Sequence, residues 1–162
     1  MNTTTSNPVT VSAPEGLPFI EVTREFDHPV EKVFEAHRDP ALYAAWVGPD
    51  GYETDLQEFD FTTGGRFRFI HKDAGQDEYA FRGVFHVVRE NELAIQTFEY
   101  EGYPDVVALE RLMLTRLDDD RTRLSIHSVY PSVEARDAMV SSGMEGGLTQ
   151  GYAKLDSILD RI

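Results

Sequence analysis

The hydrophobic positions change period as the chain proceeds. Phe19 to Phe26 reads Phe-Ile-Glu-Val-Thr-Arg-Glu-Phe, the β-branched and aromatic content of a strand, and Asp27-His28-Pro29 ends it. Val30, Val33, Phe34 and His37 then recur at helical spacing behind a proline suited to a first helical position. Asp39-Pro40 restarts a second short helix carrying Leu42, Tyr43 and Trp46. Beyond Gly48-Pro49-Asp50-Gly51, turn residues at 63–65, 73–75, 90–92, 102–104 and 118–120 separate runs of strand character. These predict about six strands, at 52–61, 66–71, 79–89, 93–100, 106–117 and 122–130, whose short connections imply an antiparallel meander.

Ser132 can cap a helix running to the C-terminus, in which Met144, Leu148, Tyr152, Leu155, Leu159 and Ile162 recur at intervals that place them on one face. That face needs an apolar partner, and a curved sheet with one buried side supplies it. The expected fold is α+β of helix-grip type: a curved antiparallel sheet wrapped on a long C-terminal helix, with two short helices after the first strand.

At 162 residues the chain suits one domain. Met1 to Pro18 is Thr, Ser, Asn and Pro with one acid, Glu15, and lacks the cationic start and apolar run of a secretory signal. It reads as a disordered tail, 1–18, before a domain at 19–162. No window approaches the ~20 apolar residues of a membrane span, so no membrane insertion is expected. Fifteen basic against 29 acidic residues give a formal charge of -14, which repels phosphate backbones. The arginines are interleaved with acids rather than clustered, so nucleic acid is not an expected partner. With no cysteine there is no thiolate nucleophile or cysteine-held metal, and a cytoplasmic setting is expected.

Several stretches together carry a resemblance. Phe26-Asp27-His28-Pro29 leading to Val33-Phe34, Trp46-Val47-Gly48-Pro49, Phe59-Asp60 with Gly64-Gly65-Arg66-Phe67-Arg68-Phe69, Ser132 to Asp137, and Met144-Glu145-Gly146-Gly147 resemble the START-like (SRPBCC) superfamily. The branch they are similar to is the C-terminal domain of the activator of Hsp90 ATPase. The resemblance covers about 19–162 and speaks for fold; that superfamily hosts carriers, receptors, cyclases and self-sacrificing resistance proteins on one scaffold. Its last helix usually carries tryptophan after the position of Gly147, where this chain has Leu148, which implies less filling of the interior.

Catalytic patterns fail in turn. His28, His37, His71, His86 and His127 make no His-x-x-x-His spacing, so no metal site is expected. Ser125 and His127 share a strand face opposite to Leu124 and Ile126 and should look outward, and no nucleophile elbow is present. Glu58 and Asp60 could do acid-base work, but an ion pair of Glu58 with Arg66 across the Gly64-Gly65 turn is the plainer reading. Asp118, Asp119 and Asp120 read as a hairpin tip. Gly143, Gly146, Gly147 and Gly151 are costly in a helix and call for close packing or room for a ligand.

The positive signal is aromatic. Trp46, Tyr52, Phe67, Phe69, Phe81, Phe85, Phe98 and Tyr152 fall on segments that line a helix-grip interior, with Leu112, Leu114, Ile126, Met144 and Leu148 beside them. Glu110 shares strand parity with Leu112 and Leu114, as an interior polar anchor or a rim residue. The leading expectation is non-catalytic binding, transport or sensing of an apolar, lipid- or polyketide-like molecule, with no cofactor. The rivals are a cyclase or hydrolase using an acid such as Glu110 or Glu58, and a stress-related protein-interaction domain.

Overall fold

The computed structural model describes residues 7–162. One antiparallel sheet carries every strand: β1 (Thr10–Ser12), β2 (Phe19–Phe26), β3 (Tyr52–Phe59), β4 (Arg66–Asp73), β5 (Glu78–Arg89), β6 (Leu93–Tyr100), β7 (Val107–Asp118) and β8 (Arg121–Val129). Their order across it is β1-β2-β8-β7-β6-β5-β4-β3, so the meander from β3 to β8 is closed by β2 against β8, and the sheet stays open at β1 and β3. The helices are α1 (Val30–Arg38), α2 (Pro40–Trp46), α3 (Val133–Ser141) and α4 (Met144–Leu159). This is the α+β helix-grip arrangement, with α4 lying in the curve of the sheet.

Three register shifts interrupt the sheet, one of them at the β7–β8 turn between Arg116 and Asp118, and the other two shape the curve. The β3–β4 register slips between Leu56 and Glu58, and the β5–β6 register between Phe85 and Val87. Each bulge restores an inward aromatic or aliphatic side chain after an extra residue and bends its strand. Gly83 faces inward in β5, where a Cβ would stand 2.0 Å from the Thr97 carbonyl oxygen and 2.5 Å from the Phe67 ring. Only glycine lets the sheet fold this tightly.

The terminal segments differ from expectation. Within the expected 1–18 tail, Thr10–Ser12 forms β1 along β2, with Thr10 opposite Thr23 and Ser12 opposite Glu21. Val9, Val11 and Ala13 pack on the core, and the buried Arg136 guanidinium donates to the carbonyls of Pro14 and Phe19 at 2.8 and 3.2 Å. Three residues of strand and one backbone-to-side-chain clamp leave little signature in a polar stretch; Met1 to Ser6 lie outside the described residues.

The single C-terminal helix is two. Ser132 does cap α3, accepting from the Ala135 N–H at 3.0 Å, but the chain turns at Gly143, whose φ of +87° is left-handed and ends one helix before the next begins. Ile162 lies beyond α4 and is exposed rather than on its buried face. Among the described residues no helix is long and apolar enough to cross a membrane.

Candidate functional site

Alternation puts a single set of side chains on the face of the sheet that α4 covers. In β2 these are Ile20, Val22, Arg24 and Phe26, opposite Ser128, Ile126, Leu124 and Thr122 of β8. In β7 they are Ala108, Glu110, Leu112 and Leu114, and in β6 Ala94, Gln96 and Phe98. Phe81 and Phe85 of β5, Phe67, Phe69 and His71 of β4, and Thr54, Leu56 and Phe59 of β3 complete the face.

Every residue singled out from the sequence for the interior lies on this face or on α2 and α4 above it, but the set divides in two. Trp46, Phe67, Phe69, Phe85, Leu114 and Tyr152 are buried and packed as core. Trp46 donates its indole N–H to the Ala36 carbonyl at 2.9 Å and stacks on Tyr152 with ring centres 5.8 Å apart. Tyr52, Phe81, Phe98, Glu110, Leu112, Ile126, Met144 and Leu148 are only partly covered.

The one charged group in the middle of the partly covered region is Glu110. Strand register sets Gln96, Glu110 and Ser128 side by side on β6, β7 and β8. Gln96 donates its amide N–H to one carboxylate oxygen at 3.0 Å, and the Ser128 hydroxyl donates to the other at 2.8 Å. Burial raises the Glu110 pKa above the ordinary carboxyl value, and the two donors only partly oppose it. Glu110 nevertheless keeps part of its surface uncovered, as does Tyr43 of α2 above it. Burial and the Glu110 charge raise the phenols of Tyr43, Tyr130 and Tyr152. Among the described residues none of these hydroxyls has a hydrogen-bond partner, yet none is sealed off, and Arg24 Nε is the only buried side-chain nitrogen or oxygen that is both.

Gln96, Ser128, Tyr43, Tyr130 and His71 escaped the sequence reading. Ser128 and Gln96 were within reach, because each continues the inward parity of apolar neighbours, Leu124 and Ile126 in one case and Ala94 and Phe98 in the other. A polar residue at a core parity is the signal. Tyr43 carried no such mark.

The other candidates fall outside. Ser125 and His127 are on the outer face, with His127 3.1 Å from Glu21. Glu58 is exposed and pairs with Arg66 at 3.3 Å, so the alternative acid is not interior. Asp118 binds Arg121 at a turn. Among the described residues no three His, Cys, Asp or Glu side chains converge as a metal site would require. The glycine cluster resolves unevenly. Gly151 lets α4 approach the end of α2, where a Cβ would meet the Trp46 carbonyl oxygen at 3.1 Å, whereas Gly146 has nothing near it. Two hollows of about 390 and 370 Å³ lie elsewhere, one beside α1 and one on the outer face of β4 and β5.

Comparison with known proteins agrees with this architecture. A Rhodobacter sphaeroides protein is 23% identical with a TM-score of 0.87, over 96% of this chain and 99% of its own. A Mycobacterium smegmatis protein is 22% identical with a TM-score of 0.84, over 96% and 99%. An Arthrobacter aurescens protein is 22% identical with a TM-score of 0.84, over 94% and 92%. At such identities the likeness is one of fold. No curated protein matches. The family described as "Activator of Hsp90 ATPase homolog 1-like protein" matches residues 27–160, from the turn before α1 to the end of α4. With most of its length so matched, the chain belongs to that family, within the START-like (SRPBCC) superfamily.

Proposed function

We propose that the chain binds an apolar small molecule between the N-terminal half of α4 and the sheet, with Glu110 as its polar anchor. The observation that carries this reading is the placement of one hydrogen-bonded carboxyl, partly uncovered, amid an apolar face that α4 covers incompletely. Such a group costs free energy to bury. A ligand whose hydrogen-bonding group meets Glu110 and the unpaired tyrosine hydroxyls would recover part of that cost, while Phe81, Phe98, Leu112, Ile126, Met144 and Leu148 enclose its apolar body. Transport or sensing in a reducing cytoplasm is consistent with a cysteine-free acidic chain.

Native mass spectrometry of freshly purified protein tests this, with a bound apolar molecule expected and its loss expected in Glu110→Ala. A chain that is empty, and that no lipid or polycyclic probe shifts, contradicts it.

One observation favours a second reading. A carboxyl with a raised pKa holds its proton into a range where it can protonate a carbonyl, as a cyclase requires. Turnover of a polyketide-like substrate that Glu110→Gln abolishes would move the protein into that class.

A further inference from the structure

Within the site proposed above, and resting on that reading, we infer that His71 forms a second polar pole that takes a hydroxyl carried by an aromatic ligand. His71 faces inward from β4 and is 8% exposed. The Thr54 hydroxyl donates to the Val47 carbonyl at 3.1 Å, so at its 3.0 Å contact with His71 it can only accept. Nδ1 therefore carries the ring proton, and Nε2 carries a lone pair. That nitrogen has no partner among the described residues and is not sealed off. Burial, reinforced by the Lys154 ammonium of α4, lowers the imidazole pKa to about 4, so at neutral pH the ring accepts at Nε2 and does not donate there.

The surroundings specify the class of ligand. Lys154 makes no ion pair among the described residues. Gly48, at a φ of +95°, lies against the imidazole, and a Cβ there would come within 2.7 Å of Cε1 and 2.8 Å of Nε2, so the loop after α2 fixes the ring. Phe69 and Phe81 have ring centres 4.9 and 5.4 Å from it, and Phe69 reaches Tyr43 at 6.2 Å. An aromatic wall thus leads from His71 towards the tyrosine that feels the Glu110 charge. A lone pair on a ring so fixed suits a group that donates a hydrogen. A hydroxyl is such a group; a carboxylate would set its own lone pairs against that of Nε2, and an ether has no hydrogen to give.

Fluorescence titrations with 2-naphthol and 2-methoxynaphthalene test this on the full chain. Wild type should bind 2-naphthol at least tenfold more tightly, against the order of their water solubilities, and His71→Phe should bind both with the affinity wild type has for the ether. The 15N resonance of His71 Nε2 in wild type should move on adding 2-naphthol and stay put with the ether, a readout independent of how the variants fold. Equal binding of both probes by wild type overturns the second pole and leaves the apolar site intact. Failure of both to bind overturns the pole together with the site it belongs to.

Discussion

The two halves of α4 meet the same sheet differently. Towards its C-terminus, Leu155 and Leu159 are fully buried against Phe26 and Leu124, Tyr152 meets Phe26 edge-on at 5.6 Å, and Arg24 reaches from β2 to hold Asp156 through both terminal nitrogens at 2.7 and 2.6 Å. Towards its N-terminus, Met144 and Leu148 are half-buried against the same core cluster that Leu112 and Ile126 flank, and Glu110 on that sheet face keeps uncovered surface. One half is packed as core; the other, on the function proposed above, leaves room for a ligand. Glycine is concentrated in the freer half, where Gly146 and Gly147 cost helix stability without a tight contact.

Truncation should separate the halves most sharply. Leu155→Ala is expected to cost roughly 2 to 5 kcal/mol, because its neighbours cannot close the gap, whereas Leu148→Ala should cost well under half of that. Equal losses in denaturant titrations would abolish the distinction. Asp156→Asn should follow closely, at roughly 3 kcal/mol, because it strips the counter-charge from a guanidinium whose Nε already lacks a partner. A neutral effect on the melting temperature would mean that the Arg24 clamp is dispensable.

Titration sharpens the contrast with opposite signs. His37, buried beside Trp46 and bonded to the Val33 carbonyl at 2.7 Å, has its pKa lowered by burial to about 4, like His71. The unfolded chain then binds more protons than the folded one between about pH 6.5 and 4. Stability falls as pH drops through that window, by about 3 kcal/mol for the fully buried His37 and by less for His71, and His37→Phe should flatten the fall seen in urea midpoints. Glu110 acts the other way. Its raised pKa makes the folded state hold the proton more tightly, so ionisation removes stability as pH rises above the usual carboxyl value. Glu110→Gln should equal wild type near pH 4 and be the more stable at pH 7, a smaller effect; a less stable variant at pH 7 would show that the ionised carboxylate is well satisfied.

How far the sequence foretold each half follows from the physics that sets it. Through strand-forming composition and turn residues the sequence located β2 and β6 to the residue and every other meander strand nearly so, because short turns bound each run of an antiparallel meander. It missed β1, where Val11 is the only apolar residue of the strand and pairing rests on backbone hydrogen bonds. It ran α3 and α4 together, since Gly143 was read as a packing residue and not as a left-handed turn. The packed half of the interior was legible as apolar residues in register. The polar row was legible at Glu110 and within reach at Gln96 and Ser128 from their inward parity, but that the three join in one hydrogen-bonded row depends on cross-strand neighbours on other strands. His71 shows the same limit: its tautomer depends on Thr54 and on a carbonyl at Val47.

The central claim of the proposed function is that α4 leaves room for a ligand beneath Leu148. Leu148→Trp tests it most directly by filling that space, read as the affinity for an apolar fluorescent probe alongside the melting temperature. The account predicts at least tenfold weaker binding, about 1.4 kcal/mol, with stability unchanged or raised. Destabilisation of about 1 to 3 kcal/mol with probe binding intact would show instead that Leu148 covers solid core.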